Sequence, residues 1–187
     1  MKEADRRREA VDATLARIAE RLSEEGIDYA LIGGMALVAH GYVRFTNDVD
    51  LLTTKEGLRR IHERLVGRGY RPAFEGSQKK LRDTETGIDV EFITTGEFPG
   101  DGKPKPVRFP DPKDVAEDRE GIRVISLPKL IELKLASGLS AEHRRLRDLA
   151  DVQDLIISLG LPREIGNQVD ASVRAEYFRM WDAAQQA

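Results

Sequence analysis

The stretch "LIGGMALVAHGYVRFTNDVDLL", residues 31–52, places two adjacent glycines after an apolar run and two aspartates, separated by one valine, shortly afterwards. The apolar run predicts a strand, "MALVAH" predicts a compact helix, and "DVDLLT" predicts a second strand. The two-residue period of a strand directs the carboxylates of Asp48 and Asp50 to one face. Two like charges this close destabilise one another. The stretch therefore predicts a strand, a turn and a helix, followed by a strand that carries a charged site.

The glycine pair, Gly33 and Gly34, stands where the first predicted strand ends and the helix begins. Backbone N–H groups at the start of a helix attract anions, and glycine lets a phosphate approach the backbone closely. A tight turn without any ligand would use two glycines equally well. The combination of the glycine pair, a short helix and a strand with paired carboxylates favours a phosphate site.

A second carboxylate pair, Asp89 and Glu91, repeats the same spacing in "GIDVEF", within a hairpin predicted over "KKLRDTETGIDVEFIT". If the two aspartate-bearing strands are neighbours, Asp89 adds a third carboxylate to the cluster. Hard oxygen ligands suit Mg²⁺, and two such ions can activate an attacking oxygen and stabilise a leaving pyrophosphate. In the alternative interpretation the carboxylates are solvated or paired with arginines, and Glu91 pairs with Lys79 or Lys80 across the hairpin.

The composition narrows the class of protein. The 187 residues include 33 acidic and 30 basic side chains, so no global basic excess predicts nucleic-acid binding. The sequence has no cysteine, which excludes disulfides and thiolate metal sites and fits a reducing compartment. Three histidines make a histidine-based zinc site unexpected. "MKEADRRREA" lacks the apolar core of a signal peptide and no run has the length of a membrane span, so we expect a globular cytoplasmic protein with no membrane contact.

The remaining elements follow from periodicity and turn residues. Strand residues are predicted in "IRVISL", and residues 96–121, rich in proline and glycine, are predicted to form a long surface loop. Further helices are predicted over 3–25, over "KEGLRRIHERLVGRG", over 128–159 with a break near Gly138, and over 169–184.

This order of elements predicts an α/β (α+β) fold with a mixed sheet flanked by helices. We expect a core over residues 1–126, made of the N-terminal helix and the sheet, and a helical C-terminal region over residues 127–187 packed on that core.

The stretch 31–52 resembles the signature of the nucleotidyltransferases of the DNA polymerase beta superfamily, in which a hydrophobic residue with Gly-Gly or Gly-Ser precedes Asp-hydrophobic-Asp/Glu by about this separation. "GIDVEF" is similar to that superfamily's third-carboxylate strand, with Asp89 at the motif position. Arg44 and Thr46, just before the aspartates, resemble the AbiEii/AbiGii-type toxin branch. The resemblance covers roughly residues 25–160 and implies a nucleotidyltransferase-like fold.

Members of that branch also carry a lysine on a later helix, followed by an Arg-x-Lys-Asp-x-x-Asp segment. Lys134 in "LPKLIELKLASG" matches the lysine, and "RLRDLADVQDL" supplies Arg145, Arg147, Asp148 and Asp151. Arg147 stands where the branch usually has lysine. Without the resemblance, Lys134 is interpreted as an exposed lysine and the second segment as a solvated helix with ion pairs between neighbouring turns.

The resemblance implies a role for each matching residue. Mg²⁺, in a two-metal site, would be held by Asp48, Asp50 and Asp89, with Asp89 also orienting or deprotonating the acceptor hydroxyl. Lys134 would neutralise charge on the triphosphate, with Asp148 near it as a supporting or catalytic acid. The nucleoside triphosphate would contact Gly33, Gly34, Arg44 and Thr46.

The implied activity is metal-dependent transfer of a nucleoside monophosphate from an NTP to a macromolecular acceptor, with the end of a tRNA as the example that the branch suggests. The protein would then be the toxin of a toxin–antitoxin or phage-defence pair, with a cognate antitoxin as partner. Two alternatives stay open. The acceptor is a small molecule, such as an aminoglycoside, or a protein side chain; or the protein is a non-catalytic module that binds a nucleotide or partner with the same fold.

Overall fold

The structure, a computed structural model, describes residues 3–186. The chain divides into two compact units. The first comprises the residues up to Ala39, Val43–Thr95 and Pro110–Ile125, and the second comprises His40–Tyr42, Gly96–Phe109 and the residues from Ser126 onward.

The first unit is a mixed sheet with helices. Its helices are α1 (Glu3–Glu24), α2 (Gly33–Ala39), α3 (Lys55–Leu65) and the single turn α4 (Pro112–Val115). Its strands are β1 (Tyr29–Ile32), β2 (Asp48–Thr53), β3 (Tyr70–Pro72), β4 (Lys80–Asp83), β5 (Asp89–Thr94), β6 (Ala116–Arg119) and β7 (Ile122–Ile125). The strand order in the sheet is β3-β4-β5-β2-β1-β7-β6.

The centre of the sheet combines both strand directions. Strand β2 runs antiparallel to β1 and parallel to β5, while β1 runs parallel to β7. The hairpins β3–β4, β4–β5 and β6–β7 are antiparallel. The mixed α/β fold expected from the sequence is therefore confirmed.

One face of the sheet is apolar because the strand residues alternate. Val49, Leu51, Val90 and Phe92 are fully buried, whereas the intervening acidic residues of β2 and β5 are partly exposed. Helix α1 contacts β2 and β7, and α3 contacts β5. Helix α1 buries a stripe at three- and four-residue steps, as its sequence predicts: Val11, Leu15, Ile18 and Leu22.

The second unit is largely helical. It contains α5 (Leu127–Ser140), α6 (Glu142–Leu159), a 3₁₀ turn (Arg163–Asn167) and α7 (Ala171–Ala184). All three α-helices contact one another. Helix α6 ends at Leu159 and is followed by Gly160, whose left-handed conformation (φ 57°) commonly terminates helices.

Two local predictions need correction, and one strand was missed. The segment 96–121 is not loop throughout, because α4 and β6 occupy its last part. Strand β3 was not predicted, since three residues give too little periodicity. The break between α5 and α6 lies at Ala141, whereas Gly138 is buried inside α5, where a Cβ would lie 2.9 Å from Cγ of Leu149. This glycine serves close helix packing rather than helix termination.

None of the helices within residues 3–186 combines the length and apolar character needed to cross a membrane.

Candidate active site

The carboxylates of β2 and β5 occupy matching positions on neighbouring strands. Asp48 pairs in register with Asp89, and Asp50 pairs with Glu91. Paired residues on adjacent strands share a face, and the strands lie about 4.8 Å apart. The two Asp-x-acid motifs, which are far apart in the sequence, therefore meet on one face of the sheet, which we call the acidic face. The structure thus brings Asp48, Asp50 and Asp89 together in the first unit.

Strand β4 adds two basic residues beside these carboxylates. Arg82 donates from Nε to Oδ1 of Asp89 at 2.6 Å and from Nη2 to Oδ2 at 3.1 Å. Lys80 Nζ lies 3.8 Å from Oδ2 of Asp89 and 3.6 Å from Oε2 of Glu91. The Arg82 guanidinium, more than any other group, holds the pKa of Asp89 below its ordinary value. Asp89 and Glu91 are therefore paired with basic residues, as the alternative interpretation of these carboxylates expects.

The sequence alone does not identify Arg82 as a residue of this site. The signal was present in "KLRDTETGIDVEF", where the hairpin register sets Lys80 opposite Glu91 and Arg82 opposite Asp89. To predict the Arg82–Asp89 pair, one must know the register of the β4–β5 hairpin, which the turn geometry fixes.

A side chain of the candidate site lies close to each glycine of the pair, in the space that a Cβ atom would occupy. Gly33 has φ +66°, and a Cβ there would lie 2.8 Å from Cγ of Asp50. A Cβ at Gly34 would lie 2.9 Å from both Cβ and Oγ1 of Thr46. Since real Cβ atoms essentially never approach another heavy atom this closely, a side chain at either position would displace Asp50 or Thr46. We call Gly33 and Gly34, which begin α2 directly after β1, the glycine turn.

The segment before β2 presents alternating side chains. Val43 is 87% exposed and Phe45 is 54% exposed, whereas Arg44 and Thr46 between and after them are partly buried. Thr46 Oγ1 donates to Oδ1 of Asp48 at 3.1 Å. Thr46 is therefore placed by contacts with two other predicted site residues, Gly34 and Asp48.

The second unit holds the other two predicted residues. Lys134 Nζ donates to Oδ1 of Asp148 at 3.3 Å and to Oδ2 of Asp151 at 2.6 Å, and Ser137 Oγ donates to Oδ2 of Asp148 at 2.6 Å. We call these four residues the α5–α6 network. Its lysine side chain is only 12% exposed and both aspartates are buried. The alternative of an exposed Lys134 and a solvated helix is therefore wrong at these positions, although Arg145 and Arg147 are exposed.

The donor set on the sheet face suits Mg²⁺ in chemistry, because its ligands would be carboxylate oxygens. The side chains are not arranged around an ion, however. Among residues 3–186, no group of three or more histidine, aspartate or glutamate side chains is placed to hold a metal. Asp89 points its two oxygens to Arg82 instead. The two-metal site stays a prediction. For Asp89 to bind a metal ion, the ion would have to replace Arg82 as the partner of its carboxylate.

Solved structures share this fold. ANT(2″)-Ia, solved in complex with adenylyl-2″-tobramycin, matches with a TM-score of 0.56 at 14% identity, covering 92% of this chain and 98% of that chain. JHP933 from Helicobacter pylori matches with a TM-score of 0.53 at 16% identity, covering 100% and 93%. A candidate nucleotidyltransferase from Thermotoga maritima matches with a TM-score of 0.52 at 22% identity, covering 74% and 91%. At these identities the likeness shows a common fold.

The sequence itself identifies the family. No curated protein matches the chain. A family model does match, over residues 1–161, which include the glycine turn, the acidic face and the α5–α6 network. The chain belongs to this family, which is described as uncharacterised nucleotidyltransferase.

Proposed function

We propose that the protein transfers a nucleoside monophosphate from an NTP to the end of an RNA, with tRNA as the leading candidate. The observation that carries this proposal is the register of Asp48 with Asp89 beside a glycine turn that closes on Asp50, in a member of a nucleotidyltransferase family. Nucleotidyl transfer needs negative groups arranged to bind a cation and an open backbone turn for phosphates.

Asp48, Asp50 and Asp89 would hold Mg²⁺, which when bound supplies positive charge to the phosphates. The turn at Gly33 and Gly34 would contact the triphosphate through backbone N–H groups, with Arg44 and Thr46 beside it. Helix α2 spans only Gly33–Ala39, so the turn itself rather than a long helix dipole would attract the phosphates.

Asp89 would orient the acceptor hydroxyl as an ionised carboxylate. The Arg82 pair keeps the pKa of Asp89 low, and a carboxylate with a low pKa is a weak general base. Orientation and charge, rather than strong proton abstraction, are therefore the contributions we assign to this residue.

In the second unit, Lys134 would neutralise charge on the triphosphate, and Asp148 would act as a positioning residue. Both oxygens of Asp148 are engaged, one by Lys134 and the other by Ser137. Such a network fixes the orientation of the ammonium group because every rotation breaks a charged hydrogen bond.

The AbiEii/AbiGii-type assignment is also part of the proposal. Its support is the sequence pattern at Arg44 and Thr46 and at Lys134 through Asp151. As a member of that branch the protein would act as a toxin, with a cognate antitoxin as its partner.

A second candidate function keeps the chemistry and changes the acceptor to a small molecule. The observation that favours it is the fold shared with ANT(2″)-Ia, which was solved with an adenylylated tobramycin. A protein side chain as acceptor has no comparable support. A non-catalytic module that binds a nucleotide would bind NTP without transferring it.

The test is incubation of the purified protein with each α-labelled NTP, Mg²⁺ and total cellular RNA, with tobramycin in a parallel reaction. The matched variants are Asp48→Asn with Asp50→Asn, and, as a control, Asp114→Asn, an exposed aspartate elsewhere in the first unit. We expect RNA labelling by wild type and by the control, and none by the double variant. Label in tobramycin alone would favour the second candidate, and label that persists in the double variant would refute the assigned site.

A further inference from the structure

The acidic face continues into a row of basic residues toward the edge of the sheet. Arg71 of β3 pairs in register with Arg82 of β4, Arg82 pairs with Asp89 of β5, and Asp89 pairs with Asp48 of β2. These pairings place one side chain per strand on the same face, with a step of about 4.8 Å between strands. Along this row the side chains on β3 and β4 are positively charged, and those on β5 and β2 are negatively charged. Lys80 lies two residues before Arg82 on the same face of β4, opposite Glu91. We call Arg71, Arg82 and Lys80 the basic row.

The direct pairing of two arginines is unfavourable for the hairpin itself. Like charges at opposing positions of an antiparallel pair destabilise it. Arg71 and Arg82 occupy such positions. The two carboxylates of β5 lie opposite Lys80 and Arg82, whereas Arg71, on the edge strand β3, has only Arg82 as its register partner. An anion lying over β3 and β4 would remove this repulsion.

The basic row retains donors for such an anion. A guanidinium has five N–H donors, and the contacts of Arg82 with Asp89 use only Nε and Nη2. The side chains of Arg82 and Lys80 are 36% and 31% exposed, and Arg71 is exposed. Lys80 lies more than 3.5 Å from both acidic partners, which is too long for a hydrogen bond.

We propose that the basic row binds the phosphodiester backbone of a nucleic-acid acceptor and thereby leads its end to Asp89 and Asp48. This inference rests on the proposed function and specifies where the acceptor binds and its chemical class. A polycationic acceptor such as an aminoglycoside would meet three like charges at this edge, whereas a chain of phosphates would meet opposite ones.

The experiment measures binding without NTP, by fluorescence anisotropy of labelled single strands of one sequence, as RNA and as DNA. The variant is Arg71→Ala, with Arg71→Lys as the conservative change. The control is Arg119→Ala, which removes an equal charge from β6 at the opposite edge of the same sheet. Circular dichroism melts of each variant check the fold.

We expect Arg71→Ala to weaken binding roughly 5-fold at low salt and to make the slope of log K against log salt shallower by about 0.7, the value for one phosphate contact to a single strand. Arg71→Lys should retain most of the affinity, and Arg119→Ala should bind within about 2-fold of wild type. The strand whose binding depends on Arg71 identifies the acceptor as RNA or DNA.

Equal losses in Arg71→Ala and Arg119→Ala, or no loss in either, would overturn the proposal. Failure of the proposed function is a different outcome: binding would depend on Arg71 although no label is transferred from any NTP. Conversely, transfer to RNA with unchanged binding in Arg71→Ala would leave the proposed function intact and refute the basic row as its acceptor site.

Discussion

The α5–α6 network gives the most quantitative prediction, the effect of Lys134→Met. The lysine binds Asp148 and Asp151, and both carboxylates are buried between the two helices. Methionine preserves the length and the apolar stem of the side chain but removes the only charge of opposite sign within the network. The variant therefore removes the ammonium group that donates to both buried carboxylates.

Removal of one partner from a buried ion pair costs about 3–5 kcal/mol, because an uncompensated charge remains in a poorly solvated place. Lys134 is 12% exposed, so some solvation persists and the lower end, about 3 kcal/mol, is the better value. For a protein of this size each kcal/mol shifts the melting temperature by about 2–4 °C. We therefore expect Lys134→Met to lower Tm by about 6–12 °C.

The assay is thermal unfolding followed by circular dichroism or calorimetry. Lys113→Met is the matched control, because Lys113 pairs with Asp28 at 3.3 Å but its side chain is 65% exposed. An exposed pair contributes at most about 1 kcal/mol, so this control should lower Tm by no more than about 4 °C. A Lys134→Met variant that melts as the control does would refute the account of a buried charge network.

Two further substitutions test the candidate site on the sheet. Gly33→Ala should lower NTP affinity and destabilise the fold by about 1–3 kcal/mol, because φ +66° disfavours a side chain and the Cβ would displace Asp50. The control is Gly76→Ala, which has a similar φ of +79° but open space around the Cβ, so in a urea melt it should show only the cost of backbone strain. Arg82→Gln should raise the pKa of Asp89 toward its ordinary value, as measured by NMR titration. In wild type, the ionised Asp89 stabilises the fold at pH values above its unfolded-state pKa. This stabilisation is lost as the pH falls through the lower pKa of the folded state. An unchanged Asp89 pKa in that variant would contradict the pairing.

Much of the fold followed from the sequence because its signals are local. The alternation in "DVDLLT" and "GIDVEF" correctly separates the acidic residues from the buried Val49, Leu51, Val90 and Phe92, although Leu52 is buried as well. The apolar stripe of α1 needed only its own spacing. The mixed sheet followed from the order of these elements. The metal site, in contrast, was inferred from the spacing of the carboxylates and from the family resemblance, and it stays a prediction.

The features that the sequence did not predict depend on contacts between distant segments. Gly138 looked like a helix break, but its role is set by Leu149 on the next helix. Lys134 looked exposed because its partners lie 14 and 17 residues later, and burial between two helices leaves no trace in either helix alone. Arg82 depended on the hairpin register, in which a slip of one residue would place it on the other face.

Calorimetric titration with NTP in the presence of Mg²⁺, for the wild type and for Asp48→Asn with Asp50→Asn, examines the nucleotide site itself. Our claim is that the glycine turn and the paired carboxylates form one nucleotide site, and this measurement does not depend on the acceptor. We predict saturable binding to wild type and to Asp114→Asn, and loss of that binding in the double variant. Equal binding by the double variant, or no binding by wild type, would contradict the claim.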